Sequence, residues 1–156
     1  MIIDGHVHVG RWNYPHYASL EVTVSALNTI LDKCEIDGAV ILPTDRKENE
    51  SLLREIKKEG TKAYWFFPWI DPRNQEWENF LEKNISDING VKIHASLDAV
   101  PGGITHALYR PLLEFIADKK MPIYVHCGRI QKTASYKHVL KIAKQFPSVQ
   151  FIMCHL

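Results

Sequence analysis

Apolar residues recur in two rhythms along the chain. Short, largely apolar runs at 2–9, 39–42, 63–70, 91–95, 123–127 and 149–154 read as strands, the one at 39–42 apolar throughout. Between them apolar residues return every three or four positions, the spacing of one buried helical stripe. Val22, Ala26, Leu27, Ile30, Leu31 and Cys34 form the first such stripe, and Leu52, Leu53 and Ile56, closed by Gly60, the second. Trp77, Phe80, Leu81 and Ile85 give a third, and Leu108, Leu112, Phe115 and Ile116 a fourth, with Pro111 tolerable only near a helix start. Tyr136, Val139, Leu140 and Ala143 give a fifth.

Strict strand–helix alternation with largely apolar strands predicts a parallel sheet covered by helices. The strand starts, at residues 2, 39, 63, 90, 122 and 149, are spaced by about 29 residues, one β/α unit each. An open doubly wound sheet and part of an eight-fold barrel both fit. No G-x-G-x-x-G follows the first strand and no P-loop sequence occurs, which weakens the nucleotide-binding versions.

Composition narrows the function classes. With 46% hydrophobic residues the chain is globular rather than disordered. A formal net charge of +1 gives no long-range attraction to nucleic acid or anionic lipid. No apolar run reaches membrane-spanning length, and Asp4, Gly5 and His6 follow too soon after Met1 for a signal peptide. Three cysteines without C-x-x-C spacing suggest neither a disulfide framework nor a zinc ribbon, and the expected location is cytoplasmic.

The chemistry lies in the histidines. Of eight, His6, His8, His94, His126 and His155 fall near the C-terminal ends of predicted strands, the edge where parallel α/β folds build their sites. Period-two alternation would put Asp4, His6 and His8 on one strand face, where two imidazoles can share a metal and the carboxylate can orient a ligand. Lys92 and His94 share a face of the fourth strand, and a lysine there is costly to bury without a purpose. Lys92 can reach a substrate anion or become carbamylated. Cys127 and Cys154 should face away from the histidines beside them and read as small buried hydrophobes. No G-x-S-x-G occurs. Arg129, Arg11 and Arg73, in loops after strands, are candidate carboxylate binders, and Trp12, Tyr14 and Trp69 candidate pocket aromatics.

Taken together, these residues resemble the amidohydrolase superfamily, most of all the branch that includes aminocarboxymuconate-semialdehyde decarboxylase. The chain opens with Ile3-Asp-Gly-His-Val-His8. Gly90-Val-Lys-Ile-His94, Pro122-Ile-Tyr-Val-His-Cys-Gly128, and Phe146-Pro147 followed by His155 then come in the order of that branch. The resemblance implies a (β/α)8 TIM-type barrel, incomplete here, with about six β/α units present and strands 7 and 8 missing. It implies a single domain over residues 1–156, an N-terminal fragment of a barrel that typically needs ~250 residues. By the same resemblance His6, His8 and His126 hold a divalent metal, zinc first, and His155 acts in catalysis; Lys92 is the second catalytic candidate from its place within the strand. Arg129, His94 and Trp12 contact substrate, and Asp4 stands behind the ligands. The aspartate with which this family ends its eighth strand has no counterpart by motif. TatD-type deoxyribonucleases share the opening H-x-H but carry a glutamate where this chain has Lys92.

The expected activity is metal-dependent hydrolysis through a metal-activated water at the C-terminal mouth of the barrel. The alternatives are non-oxidative decarboxylation at the same site, or a catalytically incomplete fragment lacking the aspartate. The expected partner is a small, carboxylate-bearing molecule, with no nucleic acid and no membrane, and exposed sheet edges would permit a homo-oligomer.

Overall fold

The computed structural model describes residues 1–12, 20–128 and 132–155. The chain divides into two units, Met1–Trp69 and Ile70–Leu156.

In the first unit, β1 (Ile3–Arg11), β3 (Gly38–Pro43) and β4 (Ala63–Phe66) run parallel, and β2 (Glu21–Val22) pairs antiparallel with the end of β1, giving the order β2-β1-β3-β4. β3 is the central strand, and Ala39, Ile41 and Leu42 are fully buried on it, as its unbroken apolar sequence requires. Gly38 is needed because a Cβ there would overlap the carbonyl oxygen of Ala63 on β4. Helix α1 (Val24–Lys33) starts where the Thr23 hydroxyl accepts the Ala26 amide at 3.1 Å, and it buries Val24, Leu27 and Leu31. Helix α2 (Asn49–Glu59) buries Leu52 and Leu53. Gly60 ends it at φ −66°, so the glycine answers the closeness of the Ile56 carbonyl rather than a left-handed turn.

In the second unit, β5 (Val91–Ile93), β6 (Ile123–His126) and β7 (Phe151–Cys154) form a parallel sheet in that order. Helices α3 (Trp77–Lys83), α4 (Arg110–Lys119) and α5 (Tyr136–Ala143) accompany it. Its core includes Leu81, Ile93, Leu112, Ile116 and Ile123, all fully buried. Pro111 sits in the first turn of α4, where its missing N–H costs nothing. Lys120 ends α4 with a left-handed φ of 53°.

All six predicted strands and all five predicted helices form. The differences are local. The third predicted strand, 63–70, pairs regularly only over Ala63–Phe66, and β2 was not foreseen, because two residues are too few to show a period. One register shift matters more. Between Asp4 and Val7 on β1 there is one more residue than between their partners Ala39 and Ile41 on β3. Asp4 therefore falls in phase with Val7 and Val9, not with His8, which corrects the expected common face of Asp4, His6 and His8. No helix among the described residues is long and apolar enough to cross a membrane.

Candidate functional site

In the first unit the site residues lie along β1 and just past its end. The Nε2 atoms of His6 and His8 are 3.1 Å apart, with ring centroids at 5.0 Å. Two nitrogens bound to one tetrahedral zinc at ~2.0–2.1 Å would be about 3.3 Å apart, so the pair has the span of two ligands of one ion. Trp12 meets the His8 ring edge-on at 5.4 Å. Asp4 is exposed and accepts the backbone N–H of His6 through Oδ1 at 3.1 Å, so its observed contact is with the main chain rather than with an imidazole.

In the second unit three imidazoles gather where β5, β6 and β7 end. His94 stacks on His126 with centroids 3.6 Å apart and an interplanar angle of 14°. His155 meets His126 edge-on at 5.2 Å. His94 is buried, and its Nδ1 accepts the Leu97 N–H at 3.3 Å, which in the neutral ring leaves the proton on Nε2. His155 lies just beyond β7 in the left-handed region, φ 61°. Strand alternation therefore does not govern its direction. Cys154 pairs across from His126 and so faces the same side as Tyr124 and Lys92. Burial pushes the Cys154 thiol up to about 11, against a downward pull from Lys92, and also raises the Cys127 thiol. Neither is a thiolate nucleophile at neutral pH.

Lys92 is 3% exposed, and Ile70 donates its N–H to the Lys92 carbonyl at 2.8 Å. Burial pulls its ammonium down to about 8, while Cys154 and Asp98 pull it up. Asp98, 1% exposed, went unnoticed in the sequence, because its place depends on a single helical turn after β5. Its N–H reaches the His94 carbonyl at 2.9 Å, and Ala99 then turns left-handed at φ 53°. Asp71 holds Arg73 through two side-chain bonds, Nε–Oδ1 2.9 Å and Nη2–Oδ2 2.7 Å. Those bonds raise the guanidinium pKa and commit two donors that a substrate carboxylate would need. Tyr109 is fully buried, and its hydroxyl has no hydrogen-bond partner among the described residues. Burial first, then Asp98 and Asp71, keep the phenol protonated far above neutral pH. Arg129 and Tyr14 lie outside the described residues. Trp69 is buried, with its backbone N–H and C=O both bonded to the Asn49 side chain, at 2.9 and 2.8 Å.

His6 and His8 fit two positions of a metal site by donor type and spacing. Among the described residues, no group of three or more His, Cys, Asp or Glu side chains is spaced to hold a metal ion.

No protein-family model matches the sequence, and no curated protein sequence matches it. Solved structures do match. An amidohydrolase from Burkholderia multivorans with bound HEPES superposes with a TM-score of 0.77 at 15% identity, over 97% of this chain and 55% of that one. A 5-carboxyvanillate decarboxylase from Novosphingobium aromaticivorans, complexed with manganese and 4-hydroxy-3-methoxy-5-nitrobenzoic acid, gives 0.74 at 13% identity, over 98% and 64%. A dihydroorotase from Campylobacter jejuni gives 0.64 at 20% identity, over 99% and 47%. The chain thus spans between about half and two thirds of the length of the proteins it resembles. The amidohydrolase resemblance carried by the four sequence motifs holds at the level of the fold: this chain is folded like solved amidohydrolases and like decarboxylases and a dihydroorotase that share their architecture.

Proposed function

We propose that the chain belongs to a metal-dependent hydrolase of the amidohydrolase superfamily, with its six parallel strands forming part of a (β/α)8 barrel. The observation that carries this reading is the His6–His8 pair, whose Nε2 atoms converge to 3.1 Å on a parallel strand. The fold likeness to an amidohydrolase supports it. His6 and His8 would hold a divalent ion, with His126 as the third ligand that its motif assigns. A bound zinc, the first candidate, would supply a Lewis acid that lowers the pKa of water into the neutral range.

The chain's own residues supply the rest. Lys92 presents a buried cation on the β5 face, suited to a substrate carboxylate or a developing oxyanion. His94, carrying its proton on Nε2, donates there. His155 stands edge-on to His126, placed to exchange a proton with a substrate oxygen. Trp12 offers an aromatic wall beside His8, and Arg129 is assigned to the substrate carboxylate by its place after the fifth-strand motif. Asp4, bonded to the His6 main chain, supports the ligand strand rather than an imidazole.

Non-oxidative decarboxylation of a small carboxylate at the same site is the second reading. The buried Lys92 cation favours it, as does the fold likeness to 5-carboxyvanillate decarboxylase.

Elemental analysis of the purified chain tests the metal. Close to one equivalent of zinc, manganese or iron is expected, falling to a small fraction in His6→Ala combined with His126→Ala. A content that is negligible and insensitive to both substitutions would sink the reading. Release of CO2 from aromatic carboxylates, against hydrolysis of lactones and cyclic amides, separates the two activities.

A further inference from the structure

The strand that carries His6 and His8 is closed off by a side chain from another element. Glu48 ends the 3-10 turn Arg46–Glu48 and stands at the N-cap of α2, where a carboxylate ordinarily accepts amides of its own helix. Glu48 makes no such bond. Its carboxylate crosses instead to β1. Oε1 accepts the Arg11 N–H at 3.0 Å, and Oε2 lies 2.7 Å from the hydroxyl of buried Thr44. The same hydroxyl is 2.9 Å from the Arg11 carbonyl, so its one proton is shared between that carbonyl and the carboxylate, while Glu48 takes the Arg11 N–H.

Gly10 completes the fit. It has φ +122°, and a Cβ on it would overlap Glu48 Oε2 and lie 2.7 Å from Thr44 Oγ1. The glycine leaves the space that the carboxylate fills. This is also where β1 leaves β3, with Val9↔Pro43 as the last parallel pair, and joins β2 through Gly10↔Val22 and Arg11↔Glu21. His8 lies two residues before this point and Trp12 two residues after it, and their rings are in contact.

We propose that Glu48 is a positioning residue for the histidine pair: locked between Gly10, Arg11 and Thr44, it fixes the exit of β1 so that Trp12 closes on His8 and His8 stays aimed at His6. The role is geometric. A neutral amide in place of the carboxylate still accepts the Arg11 N–H and still meets the Thr44 hydroxyl, so charge is not required. The link to metal rests on the function proposed above; the positioning itself does not.

The test reads the imidazoles of the metal-free, full-length chain by NMR, through long-range 1H–15N correlations of His6 and His8 and the nuclear Overhauser contact between the His8 and Trp12 rings. Glu48→Ala should abolish that contact and shift both Nε2 resonances, and Glu48→Gln should restore them. Gly10→Ala, which keeps the carboxylate but fills its space, should reproduce Glu48→Ala, and the double variant should be no worse than either single one. Co2+ titration by calorimetry and visible absorption should then show binding weakened about 10–100-fold in Glu48→Ala and rescued in Glu48→Gln. An unchanged ring contact in either folded variant, or additive effects in the double variant, overturns the proposal. If the ring contact responds as expected but no variant, nor the native chain, binds Co2+, the metal-site reading fails while the positioning role stands.

Discussion

Lys92 shows how a single residue can set a pH dependence. Its ammonium is buried, and the folded-state pKa of about 8 lies below the ordinary lysine value of 10.5. Below pH 8 both states carry the proton, and the folded state bears the full cost of the buried charge. Between pH 8 and 10.5 the unfolded chain holds more protons than the folded one, so this group's contribution to stability rises with pH. The size is of order 3 kcal/mol across that window. Cys154, raised to about 11, acts in the opposite direction above its unfolded value of 9, so the comparison is made against a variant. Urea unfolding of Lys92→Met should show it more stable than the native chain at pH 7, with the advantage shrinking as pH rises towards 10. A pH-independent difference would mean that the Lys92 ammonium keeps its ordinary pKa in the folded chain and that burial does not weaken its hold on the proton. At the proposed metal pair of His6 and His8, His8→Ala should remove bound metal as fully as His6→Ala, read by elemental analysis. The positions of His6, His8, Lys92, His94 and His126 on or just past the strands were legible because strand runs and period two are written in the sequence. Asp98 and Tyr109 were not, because their burial depends on a single turn and on helix packing that no local pattern encodes.

Among the elements, sheet pairings depend on close approaches that only glycine allows. Gly38 begins β3 against the Ala63 carbonyl of β4, and Gly38→Ala should cost about 1–3 kcal/mol by forcing the two strands apart. Chemical denaturation measures this directly. Asn49→Ala removes a side chain that mimics a neighbouring strand, since its amide both donates to and accepts from the Trp69 backbone. Leaving those buried groups unpaired should cost about 1–3 kcal/mol. Amide exchange at Trp69 should speed up in that variant before exchange in β3 does. The helices were legible from their stripes in part: Leu27 and Leu31, Leu112 and Ile116, and Val139 are buried as the three-to-four spacing requires, whereas Ile30, Ile85, Leu108, Tyr136 and Leu140, assigned to the same stripes, are exposed. The β1 irregularity was not, because an inserted residue leaves the apolar pattern of Val7 and Val9 intact. The left-handed His155 was equally hidden, since histidine carries no glycine-like mark of such a conformation.

For the whole molecule, the parallel class was evident from alternating runs, and the fold match to solved structures of an amidohydrolase, a decarboxylase and a dihydroorotase extends over 97–99% of the chain. Strand order within each unit follows chain order, apart from β2, which lies outside β1 at the edge of its sheet. If a divalent ion binds only the folded state, it must raise stability by mass action, about 2.7 kcal/mol at one hundred times its dissociation constant. Calorimetric melting with excess zinc should therefore move upward relative to the same protein in chelator, and the shift should vanish in His6→Ala. A chain whose melting ignores both zinc and chelator would lack the ligand set proposed for it.

The irregularity in β1 separates the phase of the histidines from whatever precedes them. Val7 and His8 are pinned by Ile41 and Leu42, while Asp4 is pinned independently by Ala39, and the spare residue lies between the two anchors. A Cβ on Gly5 would meet nothing within 4 Å, so this stretch has room to adjust. The segment behaves as a slip joint: removing Gly5 would return the two strands to matched counts without turning His6 or His8 to the other face. In an uninterrupted strand the same one-residue deletion would invert one side of the strand relative to the other.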